Sequence, residues 1–480
     1  MTPARHALCL LLPLILCVGT LGAQEEDARV VPRGMVGIRL AGEYLQYDSR
    51  HGGPLAGSLG APFRVSLPTS LFPLVDTTRA TLGRFFQATS AAGERFAVGP
   101  EDVAPGMLDV GVAAERRSVP ISLEVGVARR LMVRATIPVE RRASEVTAVR
   151  LLGGTFGRNL APDSLARLFQ RLGPSFQEVA RLRYLPLAGS RTANELQVRY
   201  RRTSRDTTTV LPLPRFPLGG SQVDSLFLVS GLPPVPVRSA GGDYLPGDAE
   251  VAAKLQLVNT VGDSLSGRSG TRMAVEAGVR LPTAQGVGLD SLAGIVSESG
   301  HAAVVAALFG DVVRERFSVS ASARYTALAG REVERFTLVA ASRGPFPALG
   351  SPRTVRRSPG GRLLVGLTPR YRLTDEVSLA GHYGFAWIGE TTYRAAGDSL
   401  PALAGLESTA ARTGQLVGLG ARYSTLDAYL AGRTALPLEV SLLWRTTLFG
   451  TGGMEDAGVL RVEGRVLYPL WGRRAAPPAR

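Results

Sequence analysis

Sulfur, imidazole and lysine are nearly missing from this chain. Its 480 residues include two cysteines, Cys9 and Cys17, both close to the N-terminus. Once that segment is removed no thiol is left, so disulfides, thiolate catalysis and cysteine metal sites are excluded together. The four histidines, His6, His51, His301 and His382, are scattered, with no pair at ligand spacing. Neither a zinc site nor a Ser-His-Asp arrangement can be assembled from them, and an enzyme is not expected. Long apolar runs are lacking as well: past the N-terminus the longest, 302–310, is half the ~18–20 residues that a membrane helix needs. Lys254 is the only lysine, so arginine carries almost all of the excess of 55 basic over 40 acidic side chains.

What the chain does have starts with an address. Arg5 precedes an apolar run over 7–18, and Gly22 and Ala23 lead into the polar Gln24-Glu25-Glu26-Asp27. This is the pattern of a secretory signal peptide over residues 1–23. Leu16 stands where lipid attachment at Cys17 would need a small residue, so no lipid anchor is expected. A high pI ordinarily raises nucleic-acid binding, but export removes that partner.

Period-two alternation then runs through the chain. Over 119–127, Val119, Ile121, Leu123, Val125 and Val127 alternate with Ser122, Glu124 and Gly126. After Arg129-Arg130, Leu131, Val133, Ala135, Ile137 and Val139 alternate with Arg134 and Thr136, which reads as a hairpin. The same grammar recurs over 249–259, 272–281, 302–312, 317–325, 363–372, 377–387, 415–423, 436–448 and 458–470. With 35–47, 107–116 and an ill-defined strand within 63–86, the count is 12 to 14; 332–341 alternates weakly, as a strand or an ordered loop.

Two architectures use such a pattern: a soluble antiparallel sheet with its apolar face on a core, or a transmembrane barrel with that face on lipid. Three features favour the barrel. The strands run ~9–11 residues, enough to cross a bilayer at a tilt. Charges sit at mid-strand on the polar face, where a wet lumen solvates them. Aromatics cluster near strand ends, as at Tyr44, Tyr325, Tyr383, Trp387, Tyr423, Trp444, Tyr468 and Trp471, as interfacial girdles require. The expected fold is an all-β, transmembrane, antiparallel up-and-down β-barrel of 12–14 strands over 24–471, followed by a tail at 472–480. The links at 128–130, 313–316 and 373–375 are tight and belong on the periplasmic side; the long ones at 140–248, 282–301, 326–362 and 388–414 belong outside.

The insertion at 140–248 is expected to be partly helical. Pro162 opens a stretch with Leu165, Leu168, Phe169 and Leu172 on one face, and Ser175 with Glu178 forms a capping box for a second short helix. Such a loop is a cover or constriction at the barrel mouth, or a surface ornament.

The alternation nominates Glu124, Arg134, Lys254, Glu276, Arg280, Arg324, His382 and Arg445 as lumen-facing, where they tune a pore or cross-link it shut. Arg199, Arg201, Arg202 and Arg205, with Arg353, Arg356 and Arg357, form external groups that clamp lipopolysaccharide phosphates or are merely solvated. Ser378 is too far along the strand to partner His382, and Gly418-Leu419-Gly420 lacks the helix a phosphate cradle needs.

Four segments, SLEVGVARRLMVRATIPV at 122–139, PGDAEVAAKLQLV at 246–258, EAGVRLPTAQG at 276–286 and YRLTDEVSLAGHYGF at 371–385, carry a family resemblance. The chain resembles the outer-membrane transporter-like barrels of the meta-cleavage phenol-degradation pathway, which are similar to hydrocarbon and fatty-acid channels. Pro138, Gly247-Asp248 and Leu281-Pro282-Thr283 match the family run; Ala284-Gln285 before Gly286 and the insertion at 140–248 depart from it. The resemblance implies passive passage of small, apolar or aromatic solutes through a Gram-negative outer membrane, with no cofactor. The expected partners are the lipid bilayer, lipopolysaccharide, a small-molecule solute and the barrel assembly machinery; the rival expectation is a non-transporting structural or adhesive barrel.

Overall fold

The computed structural model describes residues 27–53, 56–91, 94–232, 239–262, 269–284, 300–339, 345–395, 402–403 and 409–470. The segment 1–23, Trp471 and the tail at 472–480 lie outside the described residues.

Twelve antiparallel strands form a closed barrel. They are β1 (Met35–Tyr47), β2 (Gly106–Ala128), β3 (Leu131–Leu152), β4 (Glu250–Asn259), β5 (Gly270–Arg280) and β6 (Ala303–Arg314), then β7 (Phe317–Leu328), β8 (Arg362–Arg372), β9 (Val377–Ile388), β10 (Arg412–Ser424), β11 (Leu438–Thr451) and β12 (Gly458–Pro469). Each pairs with its neighbours in this order, and β1 closes the ring between β2 and β12, with Val36 opposite both Val125 and Tyr468. Closure satisfies the backbone groups that an open sheet would leave at its edges.

Sidedness follows the alternation. Ile38, Leu123, Val279, Leu308, Leu419 and Leu442 stand on the outer wall, each 48–69% exposed. Such a band of large apolar side chains far exceeds what a water-soluble surface carries. Phe317, Tyr371, Tyr423 and Tyr468 lie near one rim of the strands, and Tyr44, Tyr325 and Trp387 near the other. Tyr383 and Trp444 sit at mid-strand, opposite Val417 and Leu419, and so belong to neither rim.

Because strands alternate in direction, the tight links 129–130, 315–316 and 373–376 share one end, hereafter the turn end, and the long links the other, the loop end. Two turn-end links are longer: 260–269, and 425–437 with its short helix Leu426–Leu430.

β2 and β3 depart from expectation. The sequence splits β2 at Arg117-Ser118, between 107–116 and 119–127, yet one 23-residue strand runs through. The polar run is no turn because its charges are answered across the ladder: Arg116 by Glu140 at 3.3 Å, and Arg141 by Glu115. β3 correspondingly runs past Val139 to Leu152, so the insertion begins as barrel wall. Within 63–86, where a strand is expected, a three-residue strand precedes helix α1 (Pro73–Ala88). Its buried Val75, Leu82, Phe85 and Phe86 recur at helical spacing, and packing overrides the β-branched content that suggests a strand.

The insertion holds α2 (Pro162–Phe169), α3 (Pro174–Ala180), α4 (Arg191–Ser204) and α5 (Ser221–Val229). The expected capping box at Ser175 is not made: Gly173 caps α3 and Pro174 is its first residue. These helices and α1 share one apolar cluster with Leu45 and Tyr47 of β1, Val112 and Ala114 of β2, and Val459 of β12. Those are inward positions, so the helical layer is packed into the loop-end mouth. A separate hairpin, Arg331–Val339 with Ala348–Ser358, adds Phe336, Leu338 and Phe346 to the same cluster; of the weakly alternating 332–341 the described part, 332–339, is therefore strand, but outside the barrel wall.

Candidate functional site

The lumen is built by register. Glu124 lies opposite Arg134, Arg134 opposite Ala252, Lys254 opposite Glu276, and Glu276 opposite Ala307, so inward side chains of adjacent strands fall into rings. Of the nominated residues, Glu124, Arg134, Lys254, Glu276, His382 and Arg445 are buried, and Arg280 and Arg324 are half-buried against Glu250. Arg134, Glu276, Arg280 and Arg324 share one set of ion pairs through Glu250, and Glu124 belongs to a second with Arg39 and Arg465.

Glu124 is fully buried and takes Arg39 Nη2 at 3.1 Å and Arg465 Nη2 at 2.7 Å. Arg465 continues to Glu439 at 3.2 Å, and Glu439 also binds Arg422. On the other side Arg134 reaches Glu276 at 2.8 Å, and Arg324 joins Glu276 at 3.5 Å and Glu250; Arg280 meets Glu250 at 3.3 Å. Arg461 pairs with Glu43 and Glu463. Alternating signs across the barrel offset one another's desolvation, which a buried charge without partners would not survive.

His382 and Arg445 sit on either side of Gly418. Thr368 Oγ1 is 3.2 Å from His382 Nδ1, and Arg445 is its charged neighbour. Gly418, opposite both His382 and Arg445, makes room for them: a Cβ there would stand 2.4 Å from Trp444 O.

The nominated residues leave out Arg39 and Glu43, and also Glu439, Arg461, Glu463 and Arg465, which the alternation puts on the polar face of their strands. Sequence reasoning also missed a feature without any local signal. Residues 27–32 enter the lumen from the turn end, with Ala28 and Val31 fully buried. Ala28 N donates to Asp311 Oδ2 at 3.0 Å, Gln256 Nε2 to Ala28 O at 2.9 Å, and Lys254 Nζ to Asp27 O at 2.6 Å. Arg29 bridges Asp27 at 2.7 Å and Glu439 at 3.1 Å. Val31 packs on Met132, Leu426 and Leu467. A polar cavity remains between this segment and the wall, lined by Arg39, Glu124, Arg134, Lys254 and Arg465. The approach of the segment is tight at Gly126, where a Cβ would stand 2.1 Å from Pro32 O.

The external arginines divide. Arg201, Arg202, Arg205, Arg353 and Arg356 are exposed. Arg199 is instead buried on α4, its guanidinium held by Glu195 at 2.7 Å and Glu94 at 3.0 Å, and Arg357 is buried too. A helix, where the sequence suggests a loop, turns Arg199 inward.

Arg357 leads to a latch at the loop end. His301 Nδ1 lies 2.9 Å from Ala329 O and its Nε2 lies 2.9 Å from Arg357 Nη1. Nδ1 therefore carries the proton and Nε2 accepts. Burial, with Arg357 and Arg331 nearby, holds His301 below the usual histidine range, against the opposing pull of the Ala329 carbonyl and Asp248. Above about pH 6.5 folded and unfolded forms are both neutral and the latch is intact; below it the unfolded form takes up a proton that the latch resists, so anchoring weakens as pH falls. Proteolysis within the hairpin is expected to quicken between about pH 7.5 and about pH 5, and His301→Gln to flatten that dependence. A flat wild-type profile would refute the latch.

No family model matches the chain, and no curated protein matches it. Among solved structures it is similar to an outer membrane channel from Pseudomonas putida F1, at 9% identity over 93% of this chain and 100% of that one, with a TM-score of 0.43. It is similar also to a FadL homologue of Pseudomonas aeruginosa (10%, 91% and 90%, TM-score 0.29) and to the translocator domain of the autotransporter NalP from Neisseria meningitidis (8%, 97% and 94%, TM-score 0.31). Likenesses this distant bear no weight for function, and the barrel rests on its own strand ladder.

Proposed function

We propose that this chain is an outer-membrane barrel of channel type, passing small solutes passively and held shut at rest. The observation that carries this reading is a closed barrel with lipid-type residues outside and a charged lumen inside, stoppered by a six-residue segment rather than by the wall itself. A barrel built only as a scaffold needs no inward-facing cavity beside a separable stopper. Apolar or aromatic solutes are the favoured class, on the resemblance of 122–139, 246–258, 276–286 and 371–385 to the transporter-like barrels of the meta-cleavage phenol-degradation pathway. Its partners on this reading are the bilayer and lipopolysaccharide of a Gram-negative outer membrane, with insertion by the barrel assembly machinery after removal of 1–23.

The filled lumen favours one rival, a sealed structural barrel. Full-length protein in planar bilayers separates them. The channel reading expects rare stepwise openings and measurable entry of a neutral aromatic into vesicles; no conductance and no entry, with or without residues 27–32, leaves the sealed barrel.

A further inference from the structure

We propose that the outer wall of β1–β3 carries a site for the phosphate of an outer-leaflet glycolipid, formed by Arg117 and Arg141 and bracketed by Tyr44 and Tyr244. The inference rests on the outer-membrane reading above and adds a defined lipid contact to it.

Register puts the four residues in one row across adjacent strands. Tyr44 lies opposite Arg117, Arg117 opposite Arg141, and Arg141 opposite Tyr244 of the strand Ala240–Pro246. The row shares the outward parity of Val119, Ile121 and Leu123. Directly toward the turn end come Val119 opposite Val139, then Ile121 opposite Ile137, which are 48% and 54% exposed. The guanidiniums thus stand at the upper edge of the apolar band, the depth at which lipid headgroups begin.

Their arrangement suits a phosphate. Both bind the same oxygen, Oε1 of Glu115, with Arg117 Nε at 2.6 Å, so one small anion can reach both. Arg141 Nε donates to Gly242 O at 2.7 Å, which fixes its plane, and the Arg117 guanidinium lies 5.6 Å from the Tyr44 ring centroid. The side chains remain 33% and 27% exposed. Two cations against one carboxylate leave a local charge of +1 above an apolar surface, and the planar guanidinium fork matches phosphate oxygens. A glycolipid satisfies both halves at once, its acyl chains on Val119, Ile121 and Ile137 and its phosphate on the arginines.

The test is native mass spectrometry of the full-length, detergent-folded protein mixed with diphosphoryl lipid A or with dephosphorylated lipid A. Wild type is expected to retain the diphosphoryl form roughly tenfold better, and R117Q/R141Q to lose that preference. E115Q raises the local charge to +2 and should strengthen retention; a merely structural ion triplet would be loosened by it and retention would fall. No preference in wild type, an unchanged preference in R117Q/R141Q, or weaker retention in E115Q overturns the site. Failure of the wild type to insert into phosphatidylcholine vesicles as a heat-modifiable band would sink the outer-membrane reading instead, a result separable from loss of phosphate preference in an inserted barrel.

Discussion

Removing residues 27–32, with the export signal kept, is expected to raise single-channel conductance at least roughly tenfold over the intact protein. The segment crosses the lumen where the wall is otherwise lined by charge, and Ala28 and Val31 leave no room around themselves. Its attachments combine packing, ion pairs and hydrogen bonds: Val31 packs on Met132, Leu426 and Leu467, and Arg422 faces Asp27 at 3.6 Å. Asp311, Gln256 and Lys254 hold the backbone of 27–28, and Arg29 ties it to Glu439. None of these is needed to close the barrel, since the ladder between β1 and β12 starts at Met35. Withdrawal therefore clears the turn end of the lumen without unpairing a strand, and leaves the helical layer at the loop-end mouth as the remaining constriction. Replacing Lys254 with Met and Gln256 with Ala removes two attachments and should give intermittent openings of the same amplitude. An unchanged conductance after the deletion would place the closure in the ion-pair ring or the helical layer instead.

That ring carries the second large effect. Glu124→Gln is expected to destabilise the barrel by about 3 kcal/mol, the low end for breaking a buried pair, because Arg39 and Arg465 lose their shared carboxylate but keep Glu463 at 3.5 Å and Glu439 at 3.2 Å. The measurement is the urea midpoint of the heat-modifiable form in vesicles. E124Q/R465M should recover part of the loss, since it removes one of the two cations that shared the lost carboxylate, while Glu439 keeps Arg422 and Arg29. A wild-type midpoint for E124Q would show that water reaches the ring freely and that the pairs contribute little.

The barrel was legible in the sequence because its determinant is local. Period-two alternation sets Leu123 and Glu124 on opposite faces without knowledge of any partner strand, and they are 48% and 0% exposed. Strand ends were less legible. The run Glu115 to Ser118 looks like a turn until Glu140 and Arg141 are known to lie opposite, and α1 looks like a strand until a core exists to receive Val75, Leu82, Phe85 and Phe86. The stopper was not legible at all: Ala28 meets Asp311 and Arg29 meets Glu439 across most of the chain length, and neither residue stands in a periodic pattern. The inward turn of Arg199 and the latch at His301 escaped for the same reason, since both depend on segments far apart in the chain brought together at the loop end.

The central claim is that the outer face of the strands is wetted by acyl chains. Nitroxide labels at Leu123, Leu308 and Leu442, compared with labels at the inward Ala307 and Ser441, test it in protein reconstituted into phospholipid vesicles. The account predicts strong relaxation of the first three by dissolved oxygen and little by a water-soluble nickel chelate. Equal or greater relaxation of those three by the nickel chelate would contradict it.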